Sequence, residues 1–276
     1  MPSHQSCKDR GMSLPVSVQI CTLNEAHNIV ACLEAVFLNE PEEVLVIDGG
    51  STDGTAEIAS RMGAKVLSPG RLGLGPSRKL GYMAATANYV AFVDADDRIP
   101  SDWLAQMIAE LSDGGYSALQ SSLRAANMGT WWGRGWDNYF KESVKPTSDT
   151  DMVGRPAIFV TADLQADDSD FESLDEDTHM SRAFEKRGLR QGVGHAVARR
   201  YVEETWSENS RKWRSYGKGY REFTRRNPER RLRMLRHMLM VIPIQRSIPA
   251  ARQGHFAQPV FGLVMGSQIV LGWLKG

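Results

Sequence analysis

The sequence predicts an α/β protein built on a mostly parallel sheet, and three observations support this class. The chain has 276 residues, of which 42% are hydrophobic and 24% are charged, as in ordinary globular proteins. Short apolar runs alternate with longer segments of helical periodicity in the first hundred residues, which is typical of βαβ units. Polar residues cluster where the apolar runs end. This composition excludes a mostly disordered chain, a collagen and a polytopic membrane protein.

The predicted elements follow one another in strand–helix order. The first strand, 16–22, is rich in β-forming residues and lies between Pro15 and Asn24. The helix over 25–38 carries apolar side chains at helical spacing. The same signals predict strands at 43–48, 65–67 and 89–93, helices starting near Ser51 and covering 77–87, and later helices over 176–188, 210–226 and 229–241.

Three polar clusters follow three of these strands, at 22–25, 48–53 and 94–97. In open α/β sheets, ligands bind in the crevice outside the carboxyl ends of the strands. Topology alone therefore makes this edge of the sheet the candidate site.

Charge and cysteine content limit the classes of function. The 33 Lys and Arg residues balance the 33 Asp and Glu residues, so the basic footprint of a nucleic-acid-binding chain is absent. The charges are nevertheless segregated, because residues 211–236 hold eleven basic and two acidic side chains. Three cysteines without metal-binding spacing suggest no disulfide framework, which favours a reducing cytoplasm.

The strongest local signal is the run of carboxylates Asp94, Asp96 and Asp97 at the end of a buried strand. Two unit charges about 4 Å apart repel by about 4 kcal/mol at an effective dielectric constant of 20. Mg²⁺ or Mn²⁺ would offset this repulsion, because hard cations prefer carboxylates together with substrate phosphates. The alternative is a solvated turn that caps the next helix.

The turn Asp48-Gly49-Gly50-Ser51 is the second local signal. Its glycines would let a ligand approach the backbone, and the helix that follows offers N–H groups and a positive dipole end. The alternative is an ordinary capped turn between a strand and a helix. The pattern matches neither the dinucleotide fingerprint nor the phosphate-binding P-loop.

Four segments in order resemble family 2 glycosyltransferases of the GT-A fold. They are SVQICTLNEAHNI at 17–29, VLVIDGGSTDGT at 44–55, GPSRKLGYMAATANYVAFVDADD at 75–97 and EDTHMSRAFEKRG at 176–188. The resemblance covers roughly residues 14–220. The later segment RKWRSYGKGYREF at 211–223 is similar to the exopolysaccharide, succinoglycan-type branch of that family.

The resemblance implies roles for individual residues. Asp48 would bind the base of a sugar nucleotide, Arg78 would hold the base or the phosphates, and Asp177 would be the catalytic base. Asp94 would contact the ribose and, with Asp96, the metal ion, which would be Mg²⁺ or Mn²⁺. The other expected substrate-binding residues are Thr22, Asn24, Glu25, Gly49, Ser51 and Glu176.

These roles suit an inverting transfer. A carboxylate must take the proton of the acceptor hydroxyl as that oxygen attacks the anomeric carbon. Negative charge grows on the departing nucleoside diphosphate, and a bound metal ion would stabilise it as a Lewis acid. On its own, the pair Glu176-Asp177 could equally be a helix start favoured by the helix dipole.

The sequence departs from the family pattern in two places. Cys21 stands where the family often has proline, and Lys79 stands where asparagine is common, which leaves the donor less certain. Trp131, Trp132 and Trp136 lie in a glycine-interrupted stretch that could stack on sugars or lipid, or simply form a hydrophobic patch against which a loop packs.

The last fifty residues favour attachment to a membrane surface. The apolar segments 239–244 and 256–274 flank a short basic stretch, 246–252, and follow the basic run 211–236. Basic residues near anionic lipid contribute about 1 kcal/mol each. The 19-residue run 256–274 would span about 28 Å as a helix, close to the membrane thickness, but it contains glutamines, a serine and a proline.

The sequence therefore predicts a GT-A glycosyltransferase domain at 14–226 and a helical, membrane-associating extension at 227–276. Its partners would be a nucleoside diphosphate sugar, UDP-linked as the first choice, a polysaccharide or lipid-linked acceptor, and the anionic cytoplasmic face of a membrane. Two alternatives remain open. One is a sugar-nucleotide nucleotidyltransferase, and the other is a non-catalytic nucleotide-sugar binding module.

Overall fold

The computed structural model describes residues 13–147, 149–166, 176–245 and 257–275, with isolated positions between the last two ranges. Its strands form one eight-stranded sheet. The strands are β1 Leu14–Thr22, β2 Pro41–Asp48, β3 Lys65–Leu67, β4 Tyr89–Phe92, β5 Asp97–Arg98, β6 Ala118–Ala125, β7 Ala157–Val160 and β8 Gln191–Arg200.

Helices connect and cover these strands. They are α1 Ala26–Phe37, α2 Thr55–Arg61, α3 Leu74–Ala84, α4 Trp103–Gly114, α5 Trp131–Ser143, α6 Thr161–Gln165, α7 Glu176–Lys186 and α8 Trp206–Arg226. A 3₁₀ turn, Pro228–Arg230, then leads through α9, Arg231–Arg236, into the π-helical segment His237–Gln245. Helix α10, Gln258–Lys275, ends the described chain.

The sheet has the strand order β3-β2-β1-β4-β7-β6-β8-β5. The pairs β1–β2, β2–β3, β1–β4 and β6–β8 are parallel, whereas β4–β7, β6–β7 and β5–β8 are antiparallel. Thr22 lies beside Asp48, and Gln19 lies beside Phe92, so β1, β2 and β4 end at one edge. The order reverses direction between β1 and β4, which is where open α/β sheets bind ligands.

Burial explains why the first half of the chain forms these layers. Residues 16–20 of β1 and 44–48 of β2 are buried in continuous runs, as expected of parallel strands covered on both faces. Helix α1 packs on the sheet with Ile29, Cys32 and Leu33, which recur at helical spacing. Each fully buried side chain of this size contributes about 1.5–3 kcal/mol of stability.

The structure confirms the α/β class and the four predicted strands, but the helix expected at 77–87 is displaced. Helix α3 begins at Leu74, directly after Gly73, whose φ of +86° few residues other than glycine adopt. It ends at Ala84 because the next residues have other partners. The backbone N–H of Thr86 donates to the Glu43 carboxylate, and that of Ala87 donates to Ser17 Oγ.

The carboxyl-terminal helices pack closely on the rest of the chain. Helix α10 crosses α8 at Gly217 and Gly272, where an added Cβ would lie 1.9 Å from Ile269 O and 2.1 Å from Arg214 O, respectively. Phe261 of α10 is buried against Trp213 and Trp136. This favours the packing interpretation of the tryptophan-rich stretch, which forms α5. The domain division at residue 226 remains a prediction.

The predicted membrane-associating features are only partly described. Most of the basic stretch 246–252 and Phe256 lie outside the described residues. Within the described part of the chain, no helix combines the length and hydropathy needed to cross a membrane.

Candidate active site at the carboxyl edge of the sheet

The loop after β2 is organised around the carboxylate of Asp48, which is 4% exposed. Its Oδ2 accepts hydrogen bonds from the backbone N–H groups of Gly50 and Ser51, at 3.1 and 3.0 Å. Its Oδ1 accepts from the hydroxyls of Ser51 and Thr22. These four bonds use the four acceptor positions of a carboxylate. Asp48 therefore shapes the loop, and a bound base would have to replace one of its donors.

The loops after β1 and β2 are tied to each other through side chains. Asn24 has a φ of +58°, and its Oδ1 accepts a hydrogen bond from the backbone N–H of Thr52 at 2.9 Å. The Asn24 backbone N–H donates to Ser51 Oγ at 2.8 Å. The Glu25 backbone N–H donates to Thr55 Oγ1, and the Gly49 backbone N–H donates to the Thr22 carbonyl. Five predicted donor-binding residues thus lie in one connected pair of loops.

The carboxylates after β4 are held by two arginines. Arg78 Nη2 donates to Asp94 Oδ1 at 2.9 Å, and Arg200 Nη2 donates to Asp94 Oδ2 at 2.8 Å. Arg200 also bonds both oxygens of Asp97, through Nε and Nη2, each at 2.8 Å. Its Nε lies 3.6 Å from Asp96 Oδ1. The sequence analysis expected a divalent cation to offset the repulsion among these carboxylates, and the two arginines offset part of it from within the chain.

Backbone pairing fixes the same turn. Asp97 and Arg98 of β5 pair with Arg200 and Arg199 of β8, and the Tyr201 N–H donates to the Asp96 carbonyl. Burial raises the pKa of Asp97 to about 6, although Arg200 acts against this shift. Burial also raises the pKa of Asp96, whereas Arg78 and Arg200 overcome burial at Asp94 and lower its pKa.

Arg78 connects this turn to the start of α7. Its side chain is 6% exposed, and its Nη1 donates to Glu176 Oε1 at 2.7 Å and lies 3.7 Å from Asp177 Oδ1. Arg155 lies on the other side, where its Nη2 donates to the same Glu176 oxygen at 2.7 Å and its Nη1 pairs with Asp177. The predicted base is thus held between two buried arginines.

Burial is the largest cause of a raised pKa at both α7 carboxylates. At Asp177, the effect of burial is reinforced by the neighbouring Glu176 charge, whereas Arg78 lowers the pKa. Burial also raises the pKa of Glu176 against the effect of Arg78. A raised carboxyl pKa brings a group closer to the range in which a general base works well.

The Asp94–Asp97 turn suits a hard divalent cation. Oxygens of Asp94, Asp96 and Asp97 lie within 4.8 Å of one another. Asp97 is fully buried and bound by Arg200 at both oxygens, so it is the least available of the three. Asp96 Oδ1 is buried without a hydrogen-bond partner. This oxygen is therefore available as a metal ligand, the role that the resemblance implies for Asp96. The donor set fits Mg²⁺ or Mn²⁺.

The structure brings all the predicted site residues to this edge of the sheet. Glu25 lies close enough to Asp96 and Asp94 for their charges to raise its pKa, although burial is the largest cause of that rise. Sequence reasoning missed Arg155, Arg200 and Lys212. Lys212 of α8 donates to Glu203 at 2.6 Å, and Asp96 is among the groups that raise its pKa against burial. The cluster of carboxylates was the only sequence signal that basic side chains lie nearby, and it does not identify which arginines and lysines these are.

Comparison with known proteins decides the family. The family model for glycosyl transferase family 2 matches residues 17–164, which is more than half of the chain. The chain belongs to this family. An uncharacterised glycosyltransferase of Mycobacterium tuberculosis is 38% identical over 99 residues, which are 36% of this chain and 44% of that protein. The chain thus aligns with less than half of the length of these curated mycobacterial relatives.

Two further similarities cover more of the chain. Glycosyltransferase AglE of Haloferax volcanii is 27% identical over 220 residues, covering 74% of this chain and 72% of AglE. The crystal structure of S. aureus TarS 1–349 with UDP-GlcNAc has a TM-score of 0.58 and 18% identity, and covers 94% of this chain and 82% of that one.

Glucosyl-3-phosphoglycerate synthase from Mycobacterium tuberculosis, solved with Mn²⁺, UDP and glucosyl-3-phosphoglycerate, has a TM-score of 0.52. It is 18% identical and covers 72% of this chain and 75% of that one. These likenesses confirm the predicted GT-A architecture. The family match favours glycosyl transfer over the nucleotidyltransferase alternative.

Proposed function

We propose that this protein is an inverting glycosyltransferase that uses a nucleoside diphosphate sugar, with UDP as the nucleotide. The observation that carries this proposal is the placement of Arg78. One buried side chain bonds Asp94 and Glu176 and lies 3.7 Å from Asp177, so the cation-binding turn and the candidate base form one site. Support for UDP comes from TarS and glucosyl-3-phosphoglycerate synthase, which have this fold and are solved with UDP-GlcNAc or UDP.

The donor nucleotide would lie over the loops after β1 and β2. Asp48, Thr22 and Ser51 form a buried hydrogen-bonded group, in which the Ser51 hydroxyl can rotate away and leave Asp48 Oδ1 for an N–H of the base. Gly49 packs closely on the loop after β1, where an added Cβ would lie 3.3 Å from the Thr22 carbonyl oxygen, and Asn24 keeps the two loops together. Glu25 lies just before α1, and its carboxylate accepts a hydrogen bond from the Asn28 side chain at 2.9 Å.

The diphosphate would lie at the Asp94–Asp97 turn. A Mg²⁺ or Mn²⁺ ion held by Asp94 and Asp96 would stabilise the negative charge of the leaving diphosphate as a Lewis acid. Arg78 keeps Asp94 ionised and oriented, because its guanidinium donates to Asp94 from within the protein.

Asp177 would be the general base. As the acceptor oxygen forms its bond to the anomeric carbon, the bond from that carbon to the diphosphate breaks and Asp177 takes the acceptor proton. Arg155 and Arg78 orient the Asp177 carboxylate, and both arginines also pair with Glu176. The attack comes from the face opposite the leaving group, which inverts the anomeric centre.

A ligand screen tests this assignment. We expect UDP and UDP-sugars to raise the melting temperature of the intact protein in the presence of Mn²⁺, because ligands that bind only the native state stabilise it by mass action. Asp96→Ala should remove the Mn²⁺-dependent part of the shift, whereas Asp113→Asn, an equal loss of charge at an exposed position of α4, should retain it. The proposal fails if no nucleoside diphosphate or its sugar stabilises the protein with Mn²⁺.

We also propose that the acceptor is a polysaccharide or lipid-linked sugar, as in the exopolysaccharide branch that residues 211–223 resemble, and that the protein attaches to an anionic, cytoplasmic membrane surface. Exposed apolar side chains line one side of α10, at Val260, Leu263, Leu271 and Leu274. A groove between α8 and the end of α10 is lined by five basic side chains and one acidic one: Lys218, Arg221, Arg225, Arg226, Lys275 and Glu222. An apolar strip beside a basic groove suits an anionic lipid surface.

Vesicle sedimentation tests the attachment. The intact protein should pellet with vesicles that contain anionic phosphatidylglycerol and stay in the supernatant with neutral phosphatidylcholine vesicles. The double change Leu263→Ser, Leu271→Ser should reduce pelleting, as should Arg221→Ala with Arg225→Ala. These substitutions test attachment more specifically than deletion of 227–276, because the deletion would also remove the buried side chains Phe261, Met265 and Ile269 of α10. Equal pelleting with both kinds of vesicle would contradict a role for the basic groove.

A further inference from the structure

Arg200 occupies the position from which a cation would neutralise the Asp94–Asp97 turn. Its guanidinium makes three bonds of 2.8 Å, one to Asp94 and two to Asp97, and approaches Asp96 Oδ1 to 3.6 Å. Its side chain is only 15% exposed. A bidentate arginine–carboxylate pair is a strong, directional interaction, so this arrangement holds the turn without any bound ion.

The oxygens that Arg200 uses are those that a metal ion would need. Each oxygen of Asp94 already accepts one guanidinium bond, Oδ1 from Arg78 and Oδ2 from Arg200, so a metal ion would have to share these oxygens with the arginines. Asp96 Oδ1 is the one oxygen of the turn that is buried and without a hydrogen bond among the described residues. A cation bound to Asp96 and to Asp94 Oδ2 would therefore meet the Arg200 guanidinium directly, with like charges a few ångströms apart.

We propose that Arg200 acts as an internal counter-cation that competes with the divalent ion for Asp94 and Asp96, and so makes tight cation binding depend on the nucleotide diphosphate. This inference rests on the metal site of the proposed function. Arg200 is a positioning residue here, since it acts through the carboxylates. The diphosphate adds negative charge and further oxygen ligands, which offset the positive charge of Arg200.

The proposal predicts how removal of the charge alters ion binding. Arg200→Met retains much of the side-chain length and loses the positive charge. We expect Mn²⁺ to bind the Arg200→Met protein about tenfold more tightly without nucleotide, because a unit charge close to the ion is removed from a poorly screened site. Arg200→Lys keeps the charge and should bind Mn²⁺ within about threefold of the natural protein.

Arg199 offers a matched control. It is the neighbouring residue of β8, it is exposed, and Arg199→Met removes the same charge. The Mn²⁺ affinity of Arg199→Met should equal that of the natural protein. The affinities are measured on the full chain by the electron paramagnetic resonance signal of free Mn²⁺, first alone and then with UDP. In EDTA, Arg200→Met should melt at a lower temperature than Arg199→Met, and Mn²⁺ should restore more of the loss.

The outcomes separate this inference from the function on which it rests. If the natural protein binds no Mn²⁺ even with UDP, the metal site itself is refuted. If it binds Mn²⁺ but a folded Arg200→Met protein binds it equally or more weakly, the competing role of Arg200 is refuted.

Should Arg200→Met fail to fold, a titration of the natural protein with Mg²⁺ and UDP decides. The Nε–H resonance of Arg200, assigned by its loss in Arg200→Lys, should shift and lose protection from exchange. An unchanged resonance at saturation would overturn the proposal.

Discussion

The two sides of the candidate site are built from different interactions. On the donor side, the loops after β1 and β2 are joined by hydrogen bonds from backbone N–H groups and hydroxyls to Asp48, Asn24 and Asp53. On the other side, five carboxylates from the β4 turn and the start of α7 are paired with Arg78, Arg155 and Arg200.

The donor side is organised before a ligand binds, whereas the arginine-linked side carries the charges that the proposed reaction uses. The donor-side bonds are already formed without a ligand, so that side is largely preorganised, and only one donor to Asp48, such as the Ser51 hydroxyl, has to move for the base. The arginine-linked side holds buried charges whose balance changes when a diphosphate, a cation or a proton arrives, and buried charges interact strongly. Changes on the donor side should therefore act mainly on stability, and changes on the arginine-linked side mainly on the reaction.

The largest expected effect is the loss of the candidate base. Asp177→Asn should reduce the rate of sugar transfer by about 10²–10⁴-fold, because general base catalysis contributes about that much. The UDP dissociation constant, measured by calorimetry with Mn²⁺, should change less than about threefold. Asp113→Asn serves as the control with unchanged turnover. An active Asp177→Asn protein would remove Asp177 from the mechanism and would break the proposed division between the two sides.

The pH dependence of transfer should come next in size. Only the ionised form of Asp177 can accept the proton, and burial followed by the charge of Glu176 raises its pKa. The value of kcat/KM should therefore fall by about tenfold per pH unit below that raised pKa, and this acid limb should lie above the ordinary value of about 3.9.

Glu176→Gln sharpens the same test. It removes the neighbouring negative charge and leaves Arg78 and Arg155 to Asp177, so the acid limb should move to lower pH. An acid limb that stays in place would show that Glu176 does not set the protonation of the base.

The smallest effect should come from the donor side. Asn24→Ala should lower the free energy of unfolding by about 1–2 kcal/mol, because alanine disfavours a positive φ and loses the bond to Thr52. Asn24→Gly tolerates the backbone conformation and should recover part of the loss. Urea unfolding followed by circular dichroism measures both. Equal destabilisation by the two variants would show that the side-chain bond alone matters.

Much of the fold could be read from local patterns. Strands β1, β2 and β4 have continuous buried runs and helix α1 has helical spacing within single segments, so the sequence carries their signals directly. Helix α3 ends earlier than predicted because the residues after it bond to distant partners, Glu43 and Ser17. The helix expected at 229–241 is instead a 3₁₀ turn, a short α-helix and a π-helical segment that reaches Gln245.

The acidic half of the site was predictable, but of its three arginines the sequence pointed only to Arg78, through the family resemblance. Asp48 is the last residue of β2, and Asp94 and Asp96 lie in the turn that follows β4, so topology alone gives them a shared edge. Arg155 reaches the same point from the segment before β7, and Arg200 reaches it from the end of β8. No local spacing marks either residue. The tryptophan-rich stretch was similarly ambiguous until Trp136 was seen buried against Trp213 and Phe261.

By itself, the sequence determined the alternation of strands and helices, the polar ends of β1, β2 and β4, and an excess of carboxylates at one edge. These follow from side-chain patterns within about ten residues, which govern local backbone structure. Only the tertiary structure decided which cations neutralise those carboxylates and how the base is held. Arg78 and Arg200 meet at Asp94 from positions 122 residues apart in the chain, and such a meeting depends on how the elements pack.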